Sequence, residues 1–131
     1  MPRPKPREEA RVWLQFAADD FRAACGLMAM SPPAIRQALV QGQQAAEKAL
    51  KAFLTSNACA FRKTHSLEEI GEQCLAIDPS MRAVIDLAVP LGEYALKFRY
   101  PGGPSQLGPD EVAEALTNAR GVLEAAVSRM P

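Results

Sequence analysis

Residues 33–56 read PAIRQALVQGQQAAEKALKAFLTS, and this stretch decides the fold. Its apolar residues recur every three or four positions, which is the period of one face of an α-helix. The main stripe consists of Ile35, Leu39, Gly42, Ala46, Leu50 and Phe53. Further alanines widen this stripe, so the helix can contact neighbours on two sides. We therefore place this helix at the centre of a helical bundle.

The same periodicity predicts four more helices around the central one. They cover residues 8–30, 67–77, 79–98 and 109–129. Ser66 and Glu69 have the spacing of a capping box, which marks the start of the third helix. Pro90 is expected to kink or split the fourth helix, because it lacks an amide hydrogen. No alternating β-branched runs are present, so the predicted fold class is all-α, a five-helix up-and-down bundle.

Length and charge limit the organisation of the chain. Its 131 residues suffice for one domain, and fifteen basic residues balance fifteen acidic ones. A net charge of zero provides no long-range attraction to nucleic acid. We interpret residues 1–7 as a flexible basic arm and residues 8–131 as the helical domain. No apolar signal core or membrane-spanning run is present, which predicts a cytoplasmic protein.

Metal and cofactor sites are not expected. The three cysteines have no CxxC spacing, and His65 is the single histidine. A structural zinc site requires four nitrogen or sulfur ligands at fixed spacings, which this chain does not offer. The sequence also has no P-loop or Gly-rich dinucleotide motif. We therefore predict reduced thiols, no metal and no cofactor.

Two groups of polar residues are candidates for ligand contacts. Gln44, Lys48 and Lys51 fall on the central helix opposite its apolar stripe. Such a face is ordinarily solvated, but neutral glutamines also suit a polar groove or a subunit contact. Arg99 and Tyr100 end the fourth helix, where a guanidinium could grip phosphate and a ring could stack on a base. The alternative for this pair is stabilisation of the helix dipole and packing on the bundle.

His65 lies between two cations and a helix start. Arg62 and Lys63 precede it, and a helix N-terminus favours anions, so these groups could together form a small anion site. Imidazole exchanges protons near neutral pH, so His65 could also donate a proton or contact a phosphate. The alternative is a local role in ordering the loop through hydrogen bonds.

Several blocks together resemble the HEPN family, the higher eukaryotes and prokaryotes nucleotide-binding domains. They are QQAAEKALKA at 43–52, KTHSL at 63–67, RYP at 99–101, the Trp13-x3-Ala17-x2-Asp20-Phe21 pattern and residues 115–120. The resemblance implies a five-helix up-and-down bundle that is often a homodimer. It also implies a nucleotide-related function. On this basis the expected nucleotide-binding residues are Gln44, Lys48, Lys51, His65, Arg99 and Tyr100.

Members of this family divide into two kinds. Many bacterial members look like partners of a minimal nucleotidyltransferase in toxin–antitoxin or two-component transferase systems. Others are metal-independent RNases that use an Arg-x(4–6)-His motif across a dimer. Here Arg62 lies three positions before His65, and no arginine has the required distance. The leading hypothesis is a non-catalytic module that binds a nucleotide of the ATP or GTP type, a nucleotidyltransferase partner, or both.

Two alternatives stay open. The first is an RNase toxin with a divergent active site, in which dimerisation brings His65 and Arg99 together on RNA. The second is a non-catalytic oligomerisation bundle with the glutamine face as its interface.

Overall fold

Five α-helices make up most of the chain in a computed structural model that describes residues 5–97 and 108–130. They are α1 (Pro6–Met28), α2 (Ile35–Ser56), α3 (Leu67–Ile77), α4 (Arg82–Lys97) and α5 (Pro109–Ser128). A short 3-10 turn, Pro79–Met81, precedes α4. The described ranges contain no strand, so the all-α class is confirmed. No helix within those ranges is both long enough and apolar enough to cross a bilayer.

Helix α2 lies at the centre, as its widened apolar stripe predicts. It contacts each of the other four helices. The core around it includes the fully buried side chains Leu39, Leu50 and Leu54. Leu116 of α5 lies very close to Gly42. A Cβ atom at position 42 would be 2.5 Å from Cδ2 of Leu116. The missing side chain therefore lets α5 approach the backbone of α2.

The helix starts follow local chemistry. Helix α1 begins at Pro6, inside the segment interpreted as a flexible arm, because proline suits the first turn and Glu8 and Glu9 stabilise it. Helix α3 begins after Ser66, whose hydroxyl accepts the Glu69 amide at 3.3 Å. The amide of Ser66 donates instead to Thr64 Oγ1 at 3.0 Å. In the predicted capping box the side chain of Glu69 would accept the Ser66 amide. Thr64 takes this role instead.

Helix α4 continues through Pro90, so the helix is not split there, and the kink expected as the alternative stays a prediction. Proline cannot donate to the carbonyl of Asp86, one turn earlier. Asp86 is an exposed residue. The loss of one hydrogen bond on this side is compatible with an unbroken helix.

Several large apolar residues of the helices lie outside the core. Phe16, Leu87, Tyr94 and Val127 are exposed, and Trp13 is half-buried. In α1 the buried positions belong to Ala10, Ala17 and Ala24. These small residues bring α1 close to α2. The rings of Trp13 and Phe16 therefore lie along the edge of the α1–α2 contact.

Candidate functional site

A buried carboxylate on α2 organises the candidate site. Glu47 is 2% exposed. Its Oε1 accepts from Gln43 Nε2 at 3.2 Å, and its Oε2 accepts from Lys51 Nζ at 3.0 Å. The same Oε2 lies 3.2 Å from Nδ1 of His65. We call Gln43, Glu47, Lys51 and His65 the Glu47 cluster; it joins adjacent turns of α2 to the loop before α3.

Lys51 is inside the protein, 8% exposed, and not on a solvated face as its position in the polar stripe predicts. Its Nζ lies 5.5 Å from the ring centre of Trp13 and 5.0 Å from that of Phe61. These two rings meet edge to face, with centres 5.6 Å apart. An ammonium group can be buried here because Glu47 supplies the opposite charge and the rings supply a favourable quadrupole.

His65 has the opposite environment to its partner. Its side chain is 84% exposed, while Nδ1 faces the buried carboxylate. No hydrogen bond from the described residues reaches the other ring nitrogen, Nε2. A neutral imidazole that donates through Nδ1 presents Nε2 as an acceptor, and a protonated one presents it as a donor. Glu47 therefore fixes the orientation of a ring whose reactive edge faces solvent.

The loop that carries His65 is tied to α3. Gln73 accepts the Arg62 amide at 2.9 Å and donates to the Ala60 carbonyl at 3.0 Å. The guanidinium of Arg62 lies 3.6 Å from Glu72. Arg62 thus directs its charge toward α3, and Lys63 is exposed. The loop is ordered by hydrogen bonds, and the anion site proposed for Arg62 and Lys63 stays a prediction.

Lys48 and Gln44 extend the site along α2. Lys48 Nζ lies 2.6 Å from Asp20 Oδ2 and 6.0 Å from the ring centre of Phe16, both on α1. Gln44 Nε2 donates to Gln43 Oε1 at 3.2 Å. The ring of Phe16 is 48% exposed at the same edge. The α1–α2 edge next to the Glu47 cluster therefore offers a cation, an amide and an open aromatic face.

The structure brings four of the six predicted site residues to one side of α2. They are Gln44, Lys48, Lys51 and His65. Arg99 and Tyr100 lie outside the described residues. Each of the two lysines is matched by a carboxylate, so this side is close to neutral and does not form a positively charged hollow.

Sequence reasoning missed Glu47, Asp20 and the two rings around Lys51. The spacing of Glu47 and Lys51 is that of an i,i+4 ion pair, a signal that was available. Trp13, Asp20 and Phe61 reach the site from other elements, and only the tertiary fold shows this.

Comparison with known proteins gave one match. A family model described as HEPN domain matches residues 10–130. Neither the curated proteins nor the solved structures gave a match. The matched range contains the whole Glu47 cluster and the α1–α2 edge beside it.

Proposed function

This chain belongs to the HEPN family, and from that premise we propose that it binds a nucleotide at the Glu47 cluster and the adjoining α1–α2 edge. The observation that carries the proposal is the exposed imidazole of His65 held at Nδ1 by a buried carboxylate. Such a ring is oriented before a ligand arrives, which lowers the entropy cost of binding.

Each neighbouring group has a role in this proposal. His65 Nε2 contacts phosphate. The ammonium of Lys48 contacts it through the donors that Asp20 does not use, since an ammonium has more than one. Gln44 contacts polar edges of the ligand. The exposed ring of Phe16 offers a stacking face for a base. Lys51 acts indirectly, because it neutralises Glu47 from the inside. Arg99 and Tyr100 are proposed to add a second phosphate contact and a second stacking ring.

The proposed biological setting is partnership with a minimal nucleotidyltransferase. In this proposal the chain is an up-and-down bundle that acts as a cytoplasmic homodimer within a toxin–antitoxin or two-component transferase system. The support is family membership together with a site that offers ligand contacts. Coexpression with a minimal nucleotidyltransferase encoded beside it should give a complex that survives size-exclusion chromatography. Separate elution of the two proteins would reject this part.

Nucleotide binding is tested by calorimetric titration with ATP and GTP. We expect His65→Ala and Lys48→Ala to weaken binding at least about tenfold, which corresponds to roughly 1.4 kcal/mol. Arg120→Ala is the control, because it removes an exposed cation from α5, outside the Glu47 cluster and the α1–α2 edge. It should change the affinity less than about twofold. No heat and no thermal shift of the unsubstituted protein with millimolar nucleotide would reject the proposal.

The Glu47–His65 contact also favours a second function, that of a metal-independent RNase. A buried carboxylate that holds one imidazole nitrogen leaves the other suited to general acid–base catalysis. The guanidinium of Arg62 contacts Glu72, so Arg99 is the proposed partner of His65 in this function. Cleavage of labelled tRNA in EDTA should disappear in the His65→Ala, Arg99→Ala double variant. Cleavage that persists in that variant would reject this assignment.

A further inference from the structure

A second surface, a groove between α3 and α4, shares no residue with the Glu47 cluster. Its volume is about 480 Å³. The apolar floor is made by Leu75, Ile85, Val89 and Pro90. Gly71 permits this close pairing of α3 with α4, since a Cβ there would lie 2.7 Å from Ile85 Cγ2.

The rim of the groove is acidic. Four carboxylates and one guanidinium surround the floor: Glu68, Glu72, Asp86, Glu93 and Arg82. Arg82 lies 4.0 Å from Asp86, and Arg62 lies 3.6 Å from Glu72. Within the described ranges no ion pair reaches Glu68 or Glu93. The groove therefore carries a net negative charge, although the whole chain has a net charge of zero.

Pro90 adds a backbone acceptor to the same surface. Because proline has no amide hydrogen, it leaves the carbonyl of Asp86 without its usual helical donor. Asp86 and Pro90 both line the groove.

We propose that the α3–α4 groove binds a segment of a partner protein that carries cationic side chains on both sides of an apolar ridge. The ridge would cover the floor, and the cations would pair with Glu68 and Glu93. Complementary charge determines the choice of occupant, because a neutral or acidic segment would leave these carboxylates unpaired and partly desolvated. This surface is separate from the Glu47 cluster, so the proposal does not depend on nucleotide binding.

The test uses fluorescence anisotropy with a labelled amphipathic helical peptide that has leucines on one face, flanked by lysines. Two further peptides replace the lysines with glutamate or the leucines with serine. We expect saturable binding of the first peptide and at least about tenfold weaker binding of the other two. Glu68→Gln combined with Glu93→Gln should weaken the first peptide about tenfold. Glu111→Gln combined with Glu114→Gln, the same charge change beside a different groove, should have less than about a twofold effect.

Three outcomes would overturn the proposal. One is an absence of saturable binding to the unsubstituted protein. Another is equal weakening by the two pairs of substitutions, which would show non-specific attraction to acidic protein. The third is self-association that the Glu68→Gln, Glu93→Gln variant abolishes in sedimentation velocity, which would make a second copy of this chain the occupant. Circular dichroism of every variant should match the unsubstituted chain.

Discussion

Oε2 of Glu47 lies 3.2 Å from Nδ1 of His65, which joins a side chain that is almost fully buried to one that is 84% exposed. The same oxygen accepts from Lys51 at 3.0 Å. Two potential cations thus converge on one carboxylate, one from inside and one from the surface. From α2 this carboxylate holds the ring of His65, while Gln73 of α3 holds the backbone of the same loop.

Removal of the Glu47 carboxylate should destabilise the fold strongly. Glu47→Ala leaves the ammonium of Lys51 buried without its counter-charge, which costs about 3–5 kcal/mol. Urea denaturation measures the change in the free energy of unfolding. The matched control is Glu124→Ala, which removes an exposed i,i+4 pair with Arg120 and should cost less than about 1 kcal/mol. Equal effects would show that water, and not Glu47, stabilises the Lys51 ammonium.

A methyl group at position 71 should push α3 away from α4. Gly71→Ala places a Cβ against Ile85 Cγ2, and a β-branched side chain cannot easily rotate away. We expect a loss of about 1–3 kcal/mol in the free energy of unfolding. Gly121→Ala is the control, because a Cβ there meets nothing within 4 Å in the middle of α5. That change should stabilise the protein by about 0.5–1 kcal/mol, and a loss at position 121 would contradict the helical packing described here.

The junction between α3 and α4 should weaken in acid. The hydroxyl of Ser80 and the guanidinium of Arg129 donate to Asp78 and hold the pKa of its carboxyl below the ordinary value of 3.8. The stabilisation that results from a lowered pKa is fully present above the unfolded-state pKa. It is lost as the pH falls through the folded-state pKa. Thermal unfolding should therefore separate the unsubstituted protein from Asp78→Asn at neutral pH. The difference between the two melting temperatures should shrink as the pH falls below 3.8 and through the lower folded-state pKa, because the Asp78 carboxyl then becomes neutral; a constant difference would exclude a charge effect.

Cys25 and Cys74 should react at different rates with a thiol reagent. Cys25 is exposed, whereas Cys74 is buried with its thiol directed at the Leu50 carbonyl. Burial raises the pKa of the Cys74 thiol to about 12, so almost no thiolate is present at neutral pH. We expect rapid modification of Cys25 and modification of Cys74 only after denaturant unfolds the chain. A Cys25→Ser variant identifies the fast phase, and rapid labelling of Cys74 in the folded protein would show that α3 opens locally.

The sequence predicts the helices better than the contacts between them. The bounds of α3 agree with the prediction because the Ser66 cap and the Asp78-Pro79 stop are local signals. The environment predicted for the site residues agrees less well with the structure. Helix α2 contacts four neighbours, so a polar stripe on it need not be solvated, and periodicity cannot show that Lys51 is buried. Its burial depends on rings from Trp13 and Phe61, whose approach is set by tertiary packing.

Gln73, a residue of α3, supports the loop that carries His65. Its single side-chain amide bonds the loop backbone at Ala60 and at Arg62, so we expect the loop to follow α3 when this helix is displaced. A displacement of α3 by heat, substitution or a bound peptide would be transmitted through these two hydrogen bonds to the imidazole of His65. The two faces of the molecule are in this sense mechanically connected, although no residue belongs to both.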